Sequence, residues 1–328
     1  MSKRVLVTGG AGYVGSAVVE ALLSAGHEVI VFDNFSTGHR EALPANDVEL
    51  IVGDLANRTA IEAALRLANV DAVIHTAGSI EAGESMVNPG KYYRANVVNS
   101  INLLDAIVTA GVSRFVFSSS AGIYGNPTRV PIDERDPATP VNTYGETKLA
   151  IERAATWYSQ AHGLNAVFLR YFNAAGATER LGENHQPESH VIPRVLQVAL
   201  GEREHFSIFG TDYPTPDGTV IRDYVHIVDL ALAHVLAVTA PIAGATAFNL
   251  GSGSGFSVRQ VVDVSREVTG HPIPAIEADR RPGDPAVLVA DSRRAREVLG
   301  WQPRYDNLEA IIGSAWAWHQ RFPKGYAT

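Results

Sequence analysis

Tyr144-Gly-Glu-Thr-Lys148 sets a phenol and an ammonium four residues apart. On a helix, residues at that spacing share one face. An ammonium near a phenol favours the phenolate and lowers a pKa that is ordinarily about 10. A phenolate drawn toward neutrality can take the proton from a hydroxyl, so the pair offers general-base chemistry toward an alcohol. The pattern also arises by chance, and its meaning rests on its surroundings. Upstream, Val116-Phe117-Ser118-Ser119-Ser120 closes an apolar run. If that run is a strand of a parallel sheet, its hydroxyls fall at the carboxyl end, where such sheets bind ligands. A nucleophilic serine is not expected, because the sequence has no G-x-S-x-G elbow and no histidine in order as its partner. A hydroxyl that hydrogen-bonds to substrate and tyrosine suffices.

A second group of residues binds rather than reacts. Val5-Leu6-Val7-Thr8-Gly9-Gly10-Ala11-Gly12-Tyr13-Val14-Gly15 reads as a strand, a glycine turn and a helix start. Gly10, Gly12 and Gly15 satisfy G-x-G-x-x-G; Gly9, Gly12 and Gly15 satisfy the looser G-x-x-G-x-x-G. Such glycines allow a tight turn, close approach of backbone to a pyrophosphate, and packing of helix on strand. The helix N-terminus adds free N–H groups and a positive dipole end. The next strand ends in Asp33, 21 residues after Gly12. A carboxylate there accepts from ribose hydroxyls and repels a 2′-phosphate. The nearest following arginine is Arg40, so NAD is expected over NADP. Asp54 is either placed for the adenine or a turn residue of Gly53-Asp54. Gly251-Ser-Gly-Ser-Gly255 lacks an acidic partner at that spacing and reads as a structural turn, with Ser257 the N-cap of a helix from Val258.

These groups need elements to carry them. Short β-rich runs recur at Val5–Thr8, Glu28–Phe32, Glu49–Gly53, Ala72–His75, Phe115–Ser118 and Ala166–Arg170. Helix-like stretches lie between, at Val14–Ala25, Thr59–Leu67, Tyr92–Ala110 and Thr147–His162. Apolar strands alternating with helices indicate parallel βαβ units buried on both faces. The expected fold class is α/β: a Rossmann-type doubly wound parallel sheet with a smaller C-terminal α/β lobe. Residues 1–174 are assigned to the dinucleotide-binding domain, with a return segment near 225–250, and residues 175–328 to the substrate lobe. Ala175–Ser189 and Tyr213–Gly218 read as loops.

Composition bounds the rest. The 328 residues are 46% hydrophobic and 19% charged, which excludes wholesale disorder. The absence of cysteine excludes disulfides, thiolate metal sites and a cysteine nucleophile. The net charge is −8, with no Lys/Arg cluster beyond Arg293-Arg294-Arg296, which argues against a nucleic-acid partner. Val225–Leu236, the longest apolar stretch, is broken by His226, Asp229 and His234 and does not read as a membrane span. The start, MSKRVLVTGG, does not read as a signal peptide, and a cytoplasmic protein is expected. The eleven histidines show no H-E-x-x-H or other ligand spacing, so no metal is expected; His75, His190 and His226 are read as packed or beside substrate. Of 27 basic residues only Lys3, Lys91, Lys148 and Lys324 are lysines, a bias attributed to codon usage.

The assembled segments resemble the extended short-chain dehydrogenase/reductase family, and within it the UDP-hexose 4-epimerases. They are Thr8-Gly-Gly-Ala-Gly-Tyr-Val-Gly15, Asp33-Asn34, Gly53-Asp54, His75-Thr-Ala-Gly78, Gly83-Glu-Ser85, Asn96, Ser118-Ser-Ser-Ala121, Tyr124-Gly125, Tyr144-Gly-Glu-Thr-Lys148 and Arg170-Tyr-Phe-Asn173. Later come Ile208-Phe-Gly-Thr-Asp-Tyr213, Asp217-Gly-Thr219, Arg222-Asp-Tyr-Val-His226, Asn249-Leu-Gly251 and Arg280-Arg-Pro-Gly-Asp284. The likeness runs over nearly the whole chain. It implies interconversion of UDP-glucose and UDP-galactose by transient oxidation at sugar carbon 4, with NAD regenerated in each cycle.

The resemblance also implies roles. Tyr144 is the base, Lys148 holds the nicotinamide ribose, and Ser120 hydrogen-bonds to the sugar oxygen. Cofactor contacts fall to Gly9, Gly12, Tyr13, Val14, Gly15, Asp33, Asn34, Ser36, Gly38, Asp54, Leu55, Thr76, Ala77, Gly78, Asn96, Ser118, Tyr171 and Phe172, with Tyr144 and Lys148. Substrate contacts fall to Asn173, His190, Val191, Ser207, Ile208, Phe209, Arg222, Arg281, Asp284 and Leu288, with Ser120 and Tyr144. Arg222 and Arg281 suit a diphosphate, since guanidinium forks match phosphate oxygens; Arg222 could instead pair with Asp223 at the surface, and Phe209 could be core. Ile80 stands where a cofactor-contacting lysine is common. Leu288 stands where a bulky tyrosine restricts some relatives, so the expectation extends to UDP-N-acetylhexosamines. A homodimer through a four-helix bundle of Tyr92–Ala110 and Thr147–His162 is implied. The alternatives are a UDP-pentose 4-epimerase, a sugar-nucleotide dehydratase or decarboxylase, and a non-catalytic NAD-sensing protein. A dehydratase needs an Asp-Glu pair after Ser120, where Ala121-Gly122 stand.

Overall fold

Six strands alternate with helices through the first half of the chain: β1 (Arg4–Thr8), α1 (Tyr13–Ser24), β2 (Glu28–Asp33), β3 (Glu49–Val52), α2 (Arg58–Ala68), β4 (Ala72–His75), α3 (Ala82–Val87), α4 (Pro89–Tyr92), α5 (Asn99–Thr109), β5 (Arg114–Ser120), α6 (Thr143–His162) and β6 (Asn165–Tyr171). The computed structural model describes residues 2–281 and 283–326, so Pro282 of the Arg280–Asp284 segment lies outside it. A seventh strand, Ala245–Leu250, completes a sheet whose order runs from it through β6, β5, β4, β1 and β2 to β3. Every pairing in that sheet is parallel.

Burial on both faces follows from the residue pattern. Along β1, Val5 and Val7 enter one core with Val18 and Leu22 of α1, while Leu6 enters the other with Leu65, Leu103 and Ile151 from α2, α5 and α6. A half-polar strand could not satisfy both layers. The chain winds outward from β1 through β2 to β3, then returns to place β4 on the other side of β1. That reversal opens a crevice at the carboxyl ends of β1 and β4.

α6 begins four residues before the periodic run starting at Thr147, because the Asn142 side chain caps it by accepting from the Gly145 N–H. Gly163, at φ 70°, ends it. Tyr144 therefore sits in its first turn. The expected helix Tyr92–Ala110 is a composite: α4, a π-helical turn at Tyr93–Val98, and α5.

The second half adds α7 (Val191–Ala199), α8 (Ile227–Thr239), α9 (Val258–Thr269) and α10 (Leu308–Arg321). Leu230 and Ala233 of α8 join the core of α1. A third core joins Val195 and Leu196 of α7, Ile208, Val261 of α9, and Ile311 and Trp316 of α10. Ser257 caps α9 with a reciprocal Gln260 contact. The 251–255 turn wraps the Asp223 carboxylate, which accepts from the Ser252, Gly253 and Ala290 N–H groups. Among the described residues, no helix is long and apolar enough to cross a membrane.

Candidate active site

β5 ends where the crevice opens. Ser120 is its last residue, and its Oγ accepts from the Gly122 N–H at 3.0 Å. Across from it stands Tyr144: a Cβ built on Gly122 would lie 3.3 Å from Ser120 Oγ and 3.6 Å from Tyr144 ring carbons. The Tyr144 N–H is anchored on Ser85 Oγ at 3.1 Å. One turn on, Lys148 is buried, with Nζ donating to the Ser118 carbonyl at 2.8 Å and lying 5.8 Å from the Tyr144 ring centre. Burial pushes the phenol pKa above its ordinary value; the Ser120 hydrogen bond lowers it and the Glu81 charge raises it. Burial also pulls Lys148 down to about 8, with the Glu152 charge opposing. The ammonium thus stands one helical turn from the phenol while donating to a backbone carbonyl.

The glycine turn forms a cradle with no room for side chains. Gly9 has φ 73°, and a Cβ on it would lie 2.5 Å from the Ala77 nitrogen. A Cβ on Gly15 would lie 2.1 Å from the Gly9 oxygen. Gly12 precedes α1 with no side chain capping the helix, so its first N–H groups face the crevice for an anion. Asp33 accepts from the Ala11 and Phe35 N–H groups at 2.9 and 2.8 Å, and Asp54 from Asn34 Nδ2 and the Ala56 N–H at 2.8 and 2.7 Å. A backbone cradle, an uncapped helix start and a fixed carboxylate at the end of β2 together fit a dinucleotide.

One cavity of about 1120 Å³ joins these parts. Along its cofactor side lie Gly9, Gly12, Tyr13, Val14, Gly15, Asp33, Asn34, Ser36, Gly38, Asp54, Leu55, Thr76, Ala77, Gly78, Lys148, Tyr171 and Phe172. It continues past Ser120 and Tyr144 to Asn173, His190, Val191, Arg222, Arg281, Asp284 and Leu288. Ile80 also lines it.

Five expected contacts do not line the cavity: Asn96, Ser118, Ser207, Ile208 and Phe209. Asn96 is buried and shapes the wall, its side chain accepting from the Ser79 N–H and donating to the Ser79 carbonyl and Thr147 Oγ1. Ser118 is fully buried; its carbonyl takes the Lys148 ammonium and its hydroxyl meets His234 Nε2 at 2.9 Å. Ser207 and Ile208 belong to the strand Phe206–Phe209, paired with Ala275–Ala278, and Ile208 packs in the third core. Phe209 reaches the site only through Arg281, whose guanidinium lies 4.1 Å from its ring centre. Arg222 pairs with Asp284 and not with Asp223, whose carboxylate is spent on the 251–255 turn. His75 and His226 are packed: His75 lies between Thr8 and Ser100 hydroxyls, and His226 stacks on Tyr305 at 3.9 Å.

Tyr224, and the gathering of Glu183 and His185 around His190, were not singled out from sequence. Tyr224 is buried and lines the cavity, yet its hydroxyl has no partner among the described residues. The Arg222–His226 motif contained it, but only burial reveals an unspent donor. The second is a group at the rim. Glu183, His185 and His190 come together with ligand atoms within 4.8 Å, a set that could in principle hold a metal ion. However, each imidazole Nδ1 meets a carboxylate, His185 on Glu183 and His190 on Glu188. Burial lowers the His190 pKa, but Glu188 with the Glu183 and Glu81 charges outweighs it and holds it up at about 9. His185 is likewise held above its ordinary value by Glu183 against burial. Both imidazoles thus stand in carboxylate pairs on the cavity wall.

A model of the NAD dependent epimerase/dehydratase family matches residues 5–251. The chain is 51% identical over 328 residues to a UDP-glucose 4-epimerase of Halalkalibacterium halodurans, covering 99% of this chain and 98% of the relative. It is 53% identical over 315 residues to one from Corynebacterium glutamicum, covering 96% and 95%. The crystal structure of the Bifidobacterium longum UDP-glucose 4-epimerase in complex with NAD+ and UDP superimposes with a TM-score of 0.94 at 36% identity, covering 98% of this chain and 99% of that one.

Proposed function

The chain belongs to the NAD dependent epimerase/dehydratase family, and we propose on that premise that it interconverts UDP-glucose and UDP-galactose by transient oxidation at sugar carbon 4, with NAD as cofactor. The observation that carries this reading is a single cavity running from the glycine cradle, past Ser120 and Tyr144, to Arg222 and Arg281. NAD, when bound, supplies the site that accepts and returns the hydride. Residues 1–174, with the returning 225–250 segment, hold it: the start of α1 takes the pyrophosphate, Asp33 the adenosine ribose, and Lys148 the nicotinamide ribose. Tyr144 takes the proton of the sugar 4-hydroxyl and gives it back, while Ser120 hydrogen-bonds to the same oxygen. Between those two proton transfers the sugar must turn over, so the diphosphate has to be gripped while the sugar stays loose. The 175–328 lobe does this with Arg222 and Arg281, and Leu288 leaves room for an N-acetyl group.

Incubating the purified chain with UDP-galactose, UDP-N-acetylgalactosamine and UDP-xylose, each without added NAD, tests the reading. UDP-glucose is expected from the first, and NAD is expected in the supernatant after denaturation. Bound NAD with no product from any sugar would instead make this a non-catalytic NAD-binding protein. The same preparation should scatter light as two chains. Tyr93, Val98 and Trp157, on the π-helical turn and α6, are exposed at 43%, 51% and 69%. A homodimer pairing these segments as a four-helix bundle would cover them.

Tyr224 supplies a further contact to the diphosphate in this reading. Tyr224→Phe should raise KM for UDP-galactose about tenfold, the loss of one hydrogen bond to a charged group, with kcat within about twofold. Thermal stability should not fall, since the hydroxyl removed has no protein partner. An unchanged KM would assign the hydroxyl no part in binding.

A further inference from the structure

α6 turns one face toward the end of β5. Tyr144, Lys148 and Glu152 lie four apart on it, and each meets a different member of Ser118–Ser120. The Tyr144 ring stands beside Ser120, Lys148 Nζ donates to the Ser118 carbonyl, and Ser119 Oγ donates to Glu152 Oε1 at 2.5 Å. Glu152 is buried, and Arg170 of β6 grips it: Nε donates to Oε1 and Oε2 at 3.0 and 3.2 Å, and Nη2 to Oε2 at 2.6 Å. Arg170 Nη1 is held in turn by the Tyr124 hydroxyl and the Glu134 carbonyl at 2.9 and 3.2 Å. Neither Glu152 nor Arg170 lines the cavity. The pair is thus not reserved for a ligand, and burying two charges is costly unless their geometry serves something.

Several groups face Lys148 from the elements packed around it. His75 of β4 is neutral, its pKa pushed by burial and by Lys148 down to about 3. His234 of α8, behind Ser118, is neutral as well, held by burial at about 4. Tyr144 lies one turn back, Tyr171 of β6 pairs with Ser120 across the sheet, and Glu81 stands near Tyr144. Glu152 is the group that supports the ammonium against its burial.

Resting on the epimerase reading above, we propose that Glu152 is a positioning residue for the Tyr144–Lys148 pair: clamped by Arg170 and Ser119, it locks α6 in register against β5 and keeps Lys148 an ammonium. Arg170 in turn keeps Glu152 from swinging onto Lys148 and neutralising it as a closed ion pair.

The scarcity of lysine makes the test direct. The chain has four lysines, and isotope-labelled lysine gives four side-chain resonances, with that of Lys148 assigned by its loss in Lys148→Met. Glu152→Gln keeps the volume and the acceptor for Ser119 and removes the charge. Glu152→Gln/Arg170→Gln also removes the stranded guanidinium, so that folding does not confound the reading. Glu152→Asp retains the charge. In Glu152→Gln the Lys148 titration midpoint should fall by about one pH unit, the low end for losing a nearby opposite charge, and in the double variant, which removes one charge of each sign, it should fall less. It should stay near the parent value in Glu152→Asp. The alkaline limb of kcat should move to lower pH by the same amount, with KM little changed. An unmoved midpoint in folded Glu152→Gln overturns the proposal and leaves Glu152 only a structural partner of Arg170. The lysine titration needs no turnover, so a chain unable to epimerise would defeat the functional reading while this result still stood.

Discussion

Tyr144→Phe should lower epimerase turnover about 10³-fold while NAD stays bound, within the range that a positioned acid or base contributes. The substitution is confined to one oxygen. The ring remains in place against Gly122, where a Cβ would sit 3.6 Å from Tyr144 ring carbons, and the Tyr144 N–H keeps its bond to Ser85. Ser120 Oγ keeps its bond from the Gly122 N–H, so the rest of the site is undisturbed. What disappears is the group assigned above to take and return the 4-hydroxyl proton. Turnover measured by a coupled assay, beside NAD released per chain on denaturation, separates the two effects. A variant within tenfold of the parent would remove Tyr144 from the role of base. Loss of NAD together with turnover would show that the hydroxyl serves binding instead.

Gly15→Ala should give a chain that folds poorly and purifies without NAD. The new methyl would lie 2.1 Å from the Gly9 oxygen, 2.8 Å from Thr76 Oγ1 and 2.9 Å from Gly10 Cα. Two of those atoms are backbone of the phosphate cradle. The third is tied down, because Thr76 Oγ1 donates to the Thr8 and Gly9 carbonyls at 2.8 and 3.0 Å. Relief therefore requires moving α1 away from β1 or opening the turn, and either displaces the N–H groups aimed at the pyrophosphate. A destabilisation of about 1–3 kcal/mol is expected from overpacking alone. Gly313→Ala is the control: it lies within α10 with nothing within 4 Å of its Cβ position, and it should be neutral or stabilising. Denaturant unfolding and absorbance of released cofactor read both variants. A Gly15→Ala chain that retains a full complement of NAD would mean the turn can relax, and the cradle argument would fall.

Much of the fold was legible because its signals are local. The parallel sheet shows as apolar runs alternating with helical periods, and the glycine turn as a strand, three glycines and a carboxylate at the end of the next strand. The Tyr144–Lys148 spacing speaks for itself once a helix carries it. Boundaries shifted where a side chain outside the periodic run decided them, as Asn142 did for α6. The site was less legible in the second half. Ile208 and Phe209 sit in the Ile208–Tyr213 segment on which the resemblance partly rested, yet Ile208 is committed to a core and Phe209 works from beneath Arg281.

The spacing of neighbours along the chain was enough for the class of fold, the dinucleotide turn and the phenol–ammonium pair, because each depends on residues within a few turns of one another or on a repeated βαβ unit. Which atoms those groups meet was settled only when distant segments came together. Ser118 and Ser120 are two residues apart in one strand, but α6 and α8 bury the first and leave the second on the cavity. Arg222 chose Asp284, 62 residues away, over its neighbour Asp223, because the 251–255 turn had already claimed that carboxylate. Tyr224 was left with an unspent hydroxyl, and Glu152 was gripped by Arg170 and Ser119. Charges and hydrogen-bond donors are satisfied by whatever the topology places within about 3 Å, and no local pattern encodes that.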